Sequence, residues 1–179
     1  MGLARLWAGW RSEYISTTTE APEDDGCVFC RILASDEPDE ATYVVWGDER
    51  VAVLLNAYPY TSGHVLVMPL RHAGRLDELD PDESAALWSA TTDAVRAVEA
   101  AYAPGGVNLG ANLGKAAGAG VPGHLHLHCL PRWAGDTNFV TTVAEARVLP
   151  EALSVTWRKL RDAWPTASSA AGSGPAGAR

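Results

Sequence analysis

The sequence predicts one domain that mixes extended strands with helices, and three observations carry that reading. Short β-branched or apolar runs closed by turn formers recur along the chain, among them Val51-Ala52-Val53-Leu54-Leu55 and His64-Val65-Leu66-Val67-Met68-Pro69. The stretch from Asp80 to about Tyr102 changes to a helical period instead. At 179 residues the chain is long enough for one core and too short for two ordinary ones.

The elements follow in order. Leu3 to Tyr14 carries Trp7, Trp10 and Tyr14 without a clean period, and packs along the domain, against a partner subunit, or loosely as an arm. An acidic linker follows, up to Gly26. Cys27 to Leu33 starts a short helix, and Tyr43-Val44-Val45-Trp46 and Val51 to Leu55 are strands around the turn Gly47-Asp48-Glu49-Arg50. Asn56 to Gly63 is a loop rich in turn formers, and Pro69 closes the strand behind it. In the long helix Asp80 caps, Pro81 fits the first turn, and Leu87, Thr91, Ala94, Val98 and Ala101 recur at three- and four-residue steps before Pro104-Gly105-Gly106 stops it. Val107 to Leu113 is a strand of small residues, and Gly114 to Gly123 is a glycine-rich loop whose N–H groups can converge on phosphate. A strand at 140–143 and a helix from Pro150 to Trp164 precede a tail of Ala, Ser, Gly and Pro.

Composition excludes several functions. A formal net charge of −8 argues against sequence-independent nucleic-acid binding and against anionic membranes, but not against a small anionic ligand held by local donors. No apolar run is long enough to span a bilayer and no secretion signal leads the chain, so a cytoplasmic location is expected. The odd count of three cysteines is poor material for a disulfide scaffold.

Chemistry concentrates in Gly123-His124-Leu125-His126-Leu127-His128-Cys129-Leu130-Pro131, where three of the five histidines alternate. On a strand, His124, His126 and His128 share one face while Leu125, Leu127 and Cys129 enter the core, and Pro131 should end the element. Three buried imidazoles on one face are hard to explain as packing, and suit metal ligation, a nucleophile with its orienting neighbours, or both. The C-x-x-C of Cys27 and Cys30 reads as a redox pair, as buried thiols, or as half of a zinc knuckle completed by His72 and one histidine of the triplet; the zinc reading is favoured. His64 is a donor behind the site or a structural histidine, and Arg132 is an anion contact or a solvated surface residue.

Together the alternating histidines ending in Leu130-Pro131-Arg132-Trp133, the preceding Ser62-Gly63-His64-Val65-Leu66-Val67-Met68-Pro69 and the opening Cys27-Val28-Phe29-Cys30 resemble the histidine triad (HIT) superfamily of nucleotide hydrolases and transferases. The resemblance runs from about Cys27 to Asn138. Leu55-Asn56-Ala57-Tyr58-Pro59-Tyr60, Asn112-Leu113-Gly114, the run from Pro131 to Phe139 and Leu6-Trp7-x-x-Trp10-Arg11 look like a bacterial branch that includes diadenosine tetraphosphate phosphorylase.

The resemblance implies an α+β fold: an antiparallel sheet of about five strands carrying helices on one side, with one long helix and a C-terminal helix, in a homodimer joined across the long helix and the sheet. It divides the chain into an arm and linker at 1–26, a HIT domain at 27–165 and a disordered tail at 166–179. His126 is then the nucleophile, with His128 beside it. Cys27, Cys30, His72 and His124 hold a structural zinc. Asn56 meets the ribose, and Asn112, Gly118 and Gly120 belong to the phosphate loop, with His64 and Arg132 as further substrate contacts. Many relatives carry Gly-Gln before the triad, where this chain has Gly118-Ala119-Gly120-Val121-Pro122 with an extra residue.

The expected activity is cleavage of diadenosine tetraphosphate or a related dinucleoside polyphosphate through a nucleotidyl-histidine, with orthophosphate as acceptor, giving ATP and ADP. The covalent chemistry requires no cofactor, and Mg²⁺ would enter only with the substrate. Rival readings keep His126 but use water on a polyphosphate or phosphoramidate, make the chain a zinc-stabilised nucleotide-binding module, or turn the triplet into a catalytic metal site.

Overall fold

The computed structural model describes residues 26–136 and 151–166. The N-terminal arm, the strand expected at 140–143 and the tail beyond Thr166 lie outside the described residues.

Strands β1 (Val44–Gly47), β2 (Val51–Leu55), β3 (Val65–Pro69), β4 (Gly106–Ala111) and β5 (Leu127–Arg132) form one antiparallel sheet in the order β1-β2-β3-β5-β4. The β1–β2 hairpin closes where expected, because Asp48 Oδ1 accepts from the backbone N–H of Arg50 and Val51, each at 2.8 Å.

Helix α1 (Val28–Leu33) and a single turn α2 (Asp39–Thr42) precede the sheet, α3 (Pro81–Tyr102) crosses it, and α4 (Leu153–Asp162) closes the described part. Helix α3 starts where its sequence says. Asp80 Oδ1 accepts from Glu83 N at 2.7 Å and Glu83 Oε2 accepts from Asp80 N at 3.0 Å, so the two side chains satisfy end groups that the helix cannot. Its buried stripe is Leu87, Ala90, Thr91, Ala94, Ala97 and Val98, and the alanines let the helix lie close to the strands.

Strands β2 and β3 are buried along their whole length, because both sheet faces are covered. Val53, Leu55, Val65, Val67, Leu125, Leu127 and Cys129 pack with α3 and with Leu160 of α4. The alternate residues Leu54, Leu66 and Met68 pack under Phe29, with Ile32 and Leu33 beside them. Helices therefore do not lie on one side only: α3 and α4 take one face, and α1 takes the other. The resemblance led to one layer of helices, and the second cluster is what corrects it.

The histidine strand also differs from expectation at both ends. Its ladder starts at Leu127, paired with Val67, and not at Gly123. Upstream the backbone leaves β3, and Leu125 N–H bonds instead to Ala73 O at 2.6 Å. At the other end Pro131 does not stop β5, which continues to Arg132 opposite Gly106. Pairing with β3 finishes at Cys129, so the donor that Pro131 lacks is missed by no strand on that side.

Candidate active site

Two groups of side chains meet where β5 begins. The first joins α1 to the turn after β3. Cys27 Sγ lies 3.3 Å from His124 Nδ1, Cys30 Sγ lies 3.5 Å from His124 Nδ1 and 3.3 Å from His72 Nδ1, and all four ligand atoms fall within 4.8 Å of one another. His124, fully buried, has its tautomer settled: Nε2–H donates to Pro69 O at 2.8 Å, so the Nδ1 lone pair faces the thiols. Burial, and then the neighbouring Cys27, push the Cys30 thiol up from its ordinary value, a cost that a bound cation would offset. Two thiols and two imidazoles this close together could hold one metal ion.

Arg71 braces the turn that carries His72. Its guanidinium makes two 2.7 Å bonds to the Glu83 carboxylate and a 2.8 Å bond to Glu78 O, so the capping residue of α3 also holds this turn.

The second group lines a cleft of about 400 Å³ on the α1 face. His126, 7% exposed, donates Nδ1–H to His124 O at 2.7 Å, leaving Nε2 with a lone pair. Burial lowers its pKa, which the carbonyl bond partly opposes, so the ring is neutral near pH 7.

His128 takes the opposite tautomer. His64 Nδ1 receives Tyr60 N–H at 3.1 Å and Asn56 Nδ2–H at 3.3 Å, and the Asn56 amide is oriented because its Oδ1 accepts from Tyr58 N at 2.9 Å. His64 must therefore carry its proton on Nε2, which donates to His128 Nδ1 at 2.9 Å. The His128 proton is then on Nε2, a buried atom without a hydrogen-bond partner among the described residues. Burial, and then His126, lower the His128 pKa to about 4. A lone pair on His126 and a donor on His128 thus sit side by side, with ring centroids 5.2 Å apart.

Gly63 brings His64 into place. Its φ is +82°, and a Cβ there would stand 2.9 Å from Tyr102 Cε2 and 3.0 Å from Pro131 Cγ, so no other residue fits without displacement.

Most of the residues singled out from the sequence meet here. Asn56, Asn112, Gly118 and Gly120 line the cleft with His126 and His128, while His64 stands behind His128. Within the glycine loop Lys115–Ala117 forms a 3₁₀ turn, and Asn112 Nδ2 donates to Gly118 O at 3.4 Å. Arg132 is not among the lining residues. Its guanidinium bonds the Asp136 carboxylate at 2.5 and 2.7 Å and Asn108 Oδ1 at 2.9 Å, so it braces the end of β5 against β4. Nor do the triplet histidines converge on one metal: His124 turns to the cysteines, and His126 and His128 stay in the cleft.

Sequence reasoning missed the apolar walls of this cleft. Phe29, Ile32, Tyr43 and Leu54 form its floor and side, and Tyr58 and Tyr60 its rim. The signal available was the pair of aromatics flanking Pro59 just before His64, in a run read as a turn and as part of the resemblance but not as a wall.

An alternating H-x-H-x-H run whose last two imidazoles face one cleft beside a glycine loop is the arrangement of a histidine triad protein. The chain belongs to that family: the HIT domain matches residues 37–135. It is 36% identical over 165 residues to AP-4-A phosphorylase of Mycobacterium tuberculosis, an alignment covering 90% of this chain and 85% of that protein. Among solved structures it resembles a zinc-bound histidine triad family protein from Mycobacterium smegmatis, with TM-score 0.63, 33% identity, and coverage of 77% of this chain and 92% of that one. A hypothetical histidine triad nucleotide-binding protein from Sulfolobus tokodaii has TM-score 0.63 at 30% identity, covering 76% of this chain and 91% of that one. No helix among the described residues is long and apolar enough to cross a membrane.

Proposed function

We propose that the chain is a nucleotidyl-histidine enzyme that cleaves diadenosine tetraphosphate by phosphorolysis, giving ATP and ADP. The observation that carries this reading is the tautomer pair in the cleft, a His126 Nε2 lone pair beside a His128 Nε2–H. The likeness to AP-4-A phosphorylase supports the choice of substrate and acceptor.

In the first step His126 Nε2 attacks one α-phosphorus in line; the N–P bond forms, the bond to the bridging oxygen breaks, and ATP departs with the electron pair. Adenylyl-His126 carries the new positive charge, shared through Nδ1–H with His124 O. His128 Nε2–H and the loop around Gly118 and Gly120 stabilise charge on the phosphorus oxygens. In the second step an orthophosphate oxygen attacks the same phosphorus, the N–P bond breaks, and ADP leaves with His126 restored. Asn56 lies at the cleft wall to meet the ribose, and the apolar floor around Phe29, Ile32 and Leu54 takes the base. Mg²⁺ enters with the polyphosphate.

Cys27, Cys30, His72 and His124 would hold zinc. Their nitrogen–sulfur separations of 3.3–3.5 Å match the edge of about 3.5 Å expected of a tetrahedral site with Zn–S about 2.3 Å and Zn–N about 2.0–2.1 Å. The ion would pin α1 and the His72 turn to the residue preceding the nucleophile's strand, a structural task. A cytoplasmic location keeps these thiols reduced. Assembly as a homodimer is supported by exposed Trp88 on α3 and exposed Leu109 on the edge strand β4, with Leu113 just beyond it.

The test is product analysis of diadenosine tetraphosphate with and without orthophosphate. ATP plus ADP only when phosphate is present is the expected result. ATP plus AMP regardless of phosphate would replace phosphorolysis by hydrolysis, and no cleavage at all would overturn the substrate.

A further inference from the structure

We infer that Tyr60 is a positioning residue for the reaction proposed above, its backbone and its ring together holding His128 as a donor aimed into the cleft. Two separate parts of the residue act. The backbone N–H, at 3.1 Å from His64 Nδ1, is one of the two donors that force the His64 proton onto Nε2 and so determine which nitrogen of His128 is protonated. The side chain then covers the pair it has set: the Tyr60 ring is tilted at 47° on His64, with centroids 4.7 Å apart, and stacks on His128 at 17° and 5.9 Å.

The two parts depend on each other. The His64–His128 bond stays directional only while water is kept from it, because a water molecule reaching His128 Nδ1 offers a competing proton and frees the ring to change tautomer. His128 has β-sheet on one flank and His126 on another, at 5.2 Å between ring centroids. The Tyr60 ring stacks on His128 from the cleft side, and is itself 39% exposed, so its outer edge is cleft wall. An aliphatic residue would leave part of the His128 face wet, whereas a flat ring matches the imidazole over its area. The cover belongs to the ring, not to the hydroxyl, so phenylalanine should serve and alanine should not. Side-chain replacement leaves the backbone N–H in place, and therefore isolates the ring's share.

The experiment compares the full-length wild type with Tyr60→Phe and Tyr60→Ala, using steady-state kinetics with diadenosine tetraphosphate and ¹⁵N NMR of the imidazoles. Tyr60→Ala is expected to lower kcat about 10- to 100-fold, the scale for a misaligned transition-state donor, with KM changed less than about threefold. The His128 ¹⁵N signals should move from a fixed Nε2–H pattern to an averaged one, and Tyr60→Phe should keep wild-type values in both readouts. A folded Tyr60→Ala with unchanged kcat and an unchanged His128 pattern would overturn the inference, as would a Tyr60→Phe as impaired as Tyr60→Ala. The NMR readout needs no substrate, so a wild type that ignores diadenosine tetraphosphate would sink the proposed substrate while the role of Tyr60 is still decided by the His128 signals.

Discussion

Phe29→Ala is the substitution whose cost can be worked from the structure most directly. Phe29 is 7% exposed, packs over Leu54, Leu66 and Met68, and sets its ring against His126 at 5.2 Å and His124 at 5.6 Å. Truncating a buried Phe costs about 3–5 kcal/mol. Here the void would open into the cleft and fill with water, which removes most of the cavity penalty and favours the lower end, about 3 kcal/mol. The two ring contacts with imidazoles add roughly 1 kcal/mol. At about 2–4 °C per kcal/mol for a chain of this size, melting should fall by roughly 8–16 °C, followed by circular dichroism and checked by urea denaturation. Phe29 sits between two cysteines of α1, so the losses from chelation and from truncation should overlap: in zinc-free protein, with α1 released, Phe29→Ala should cost less than in zinc-loaded protein. A melting temperature within about 2 °C of wild type, or full additivity with chelation, would refute the argument that Phe29 and the metal cluster hold one element in place.

His126→Ala should lower turnover at least about 10⁴-fold while nucleotide binding changes little, and calorimetry of ADP binding separates the two; surviving turnover would remove His126 as the nucleophile. Cys27→Ser should release zinc and lower the melting temperature before chemistry fails, so a variant with unchanged zinc content by metal analysis would contradict the four-ligand centre. Glu83 is held down at about 2 by the Arg71 guanidinium first and the Asp80 backbone N–H next, against 4.5 ordinarily. A depressed folded pKa contributes stability that is present above the unfolded value and lost as pH falls toward the folded one. The stability gap between wild type and Glu83→Gln should therefore be full above about pH 5 and close between roughly 4.5 and 2, as thermal melts across that range would record. Gly63→Ala should lower stability and turnover together, since its Cβ would meet Tyr102 and Pro131 and shift His64; normal kinetics in a folded Gly63→Ala would show that His64 tolerates displacement.

How much of this was legible in the sequence depended on how local the cause was. The capping of α3 by Asp80 and the β1–β2 turn around Asp48 were readable because each depends on bonds within a few residues, and the fold adds the reciprocal bond from Glu83. So was the alternation that sends Leu125, Leu127 and Cys129 into the core. The proximity of Cys27, Cys30, His72 and His124 needed the fold, because it forms only when α1 and the turn after β3 are brought together, across 97 residues between Cys27 and His124. The second apolar cluster under Phe29 was not legible, because a strand buried on both faces has no alternation to show which residues face which layer. Arg132 was open between an anion contact and a solvated surface residue. Its position beside the triad suggested an anion, and in the fold Asp136, four residues on, and Asn108 on the neighbouring strand take three of its donors.

The shortened β5 is where fold and chemistry become one argument. Had the ladder with β4 continued through His126 and His124, the carbonyl of His124 would have had a strand neighbour to serve. Because pairing with β4 begins only at Ala111 and Leu127, that carbonyl is free to accept His126 Nδ1–H instead. The same early departure lets the His124 ring turn toward Cys27 and Cys30 and reach Pro69 O, at the last residue of β3. Each histidine of the alternating run thus has its tautomer set by a different partner: Pro69 O for His124, His124 O for His126, and His64 for His128. The three rings have the same chemistry and near-identical local sequence, so their separate tasks come from these partners. A metal ligand needs a lone pair on Nδ1, a nucleophile needs one on Nε2, and a donor needs its proton on Nε2, and the ragged start of one strand supplies the first two.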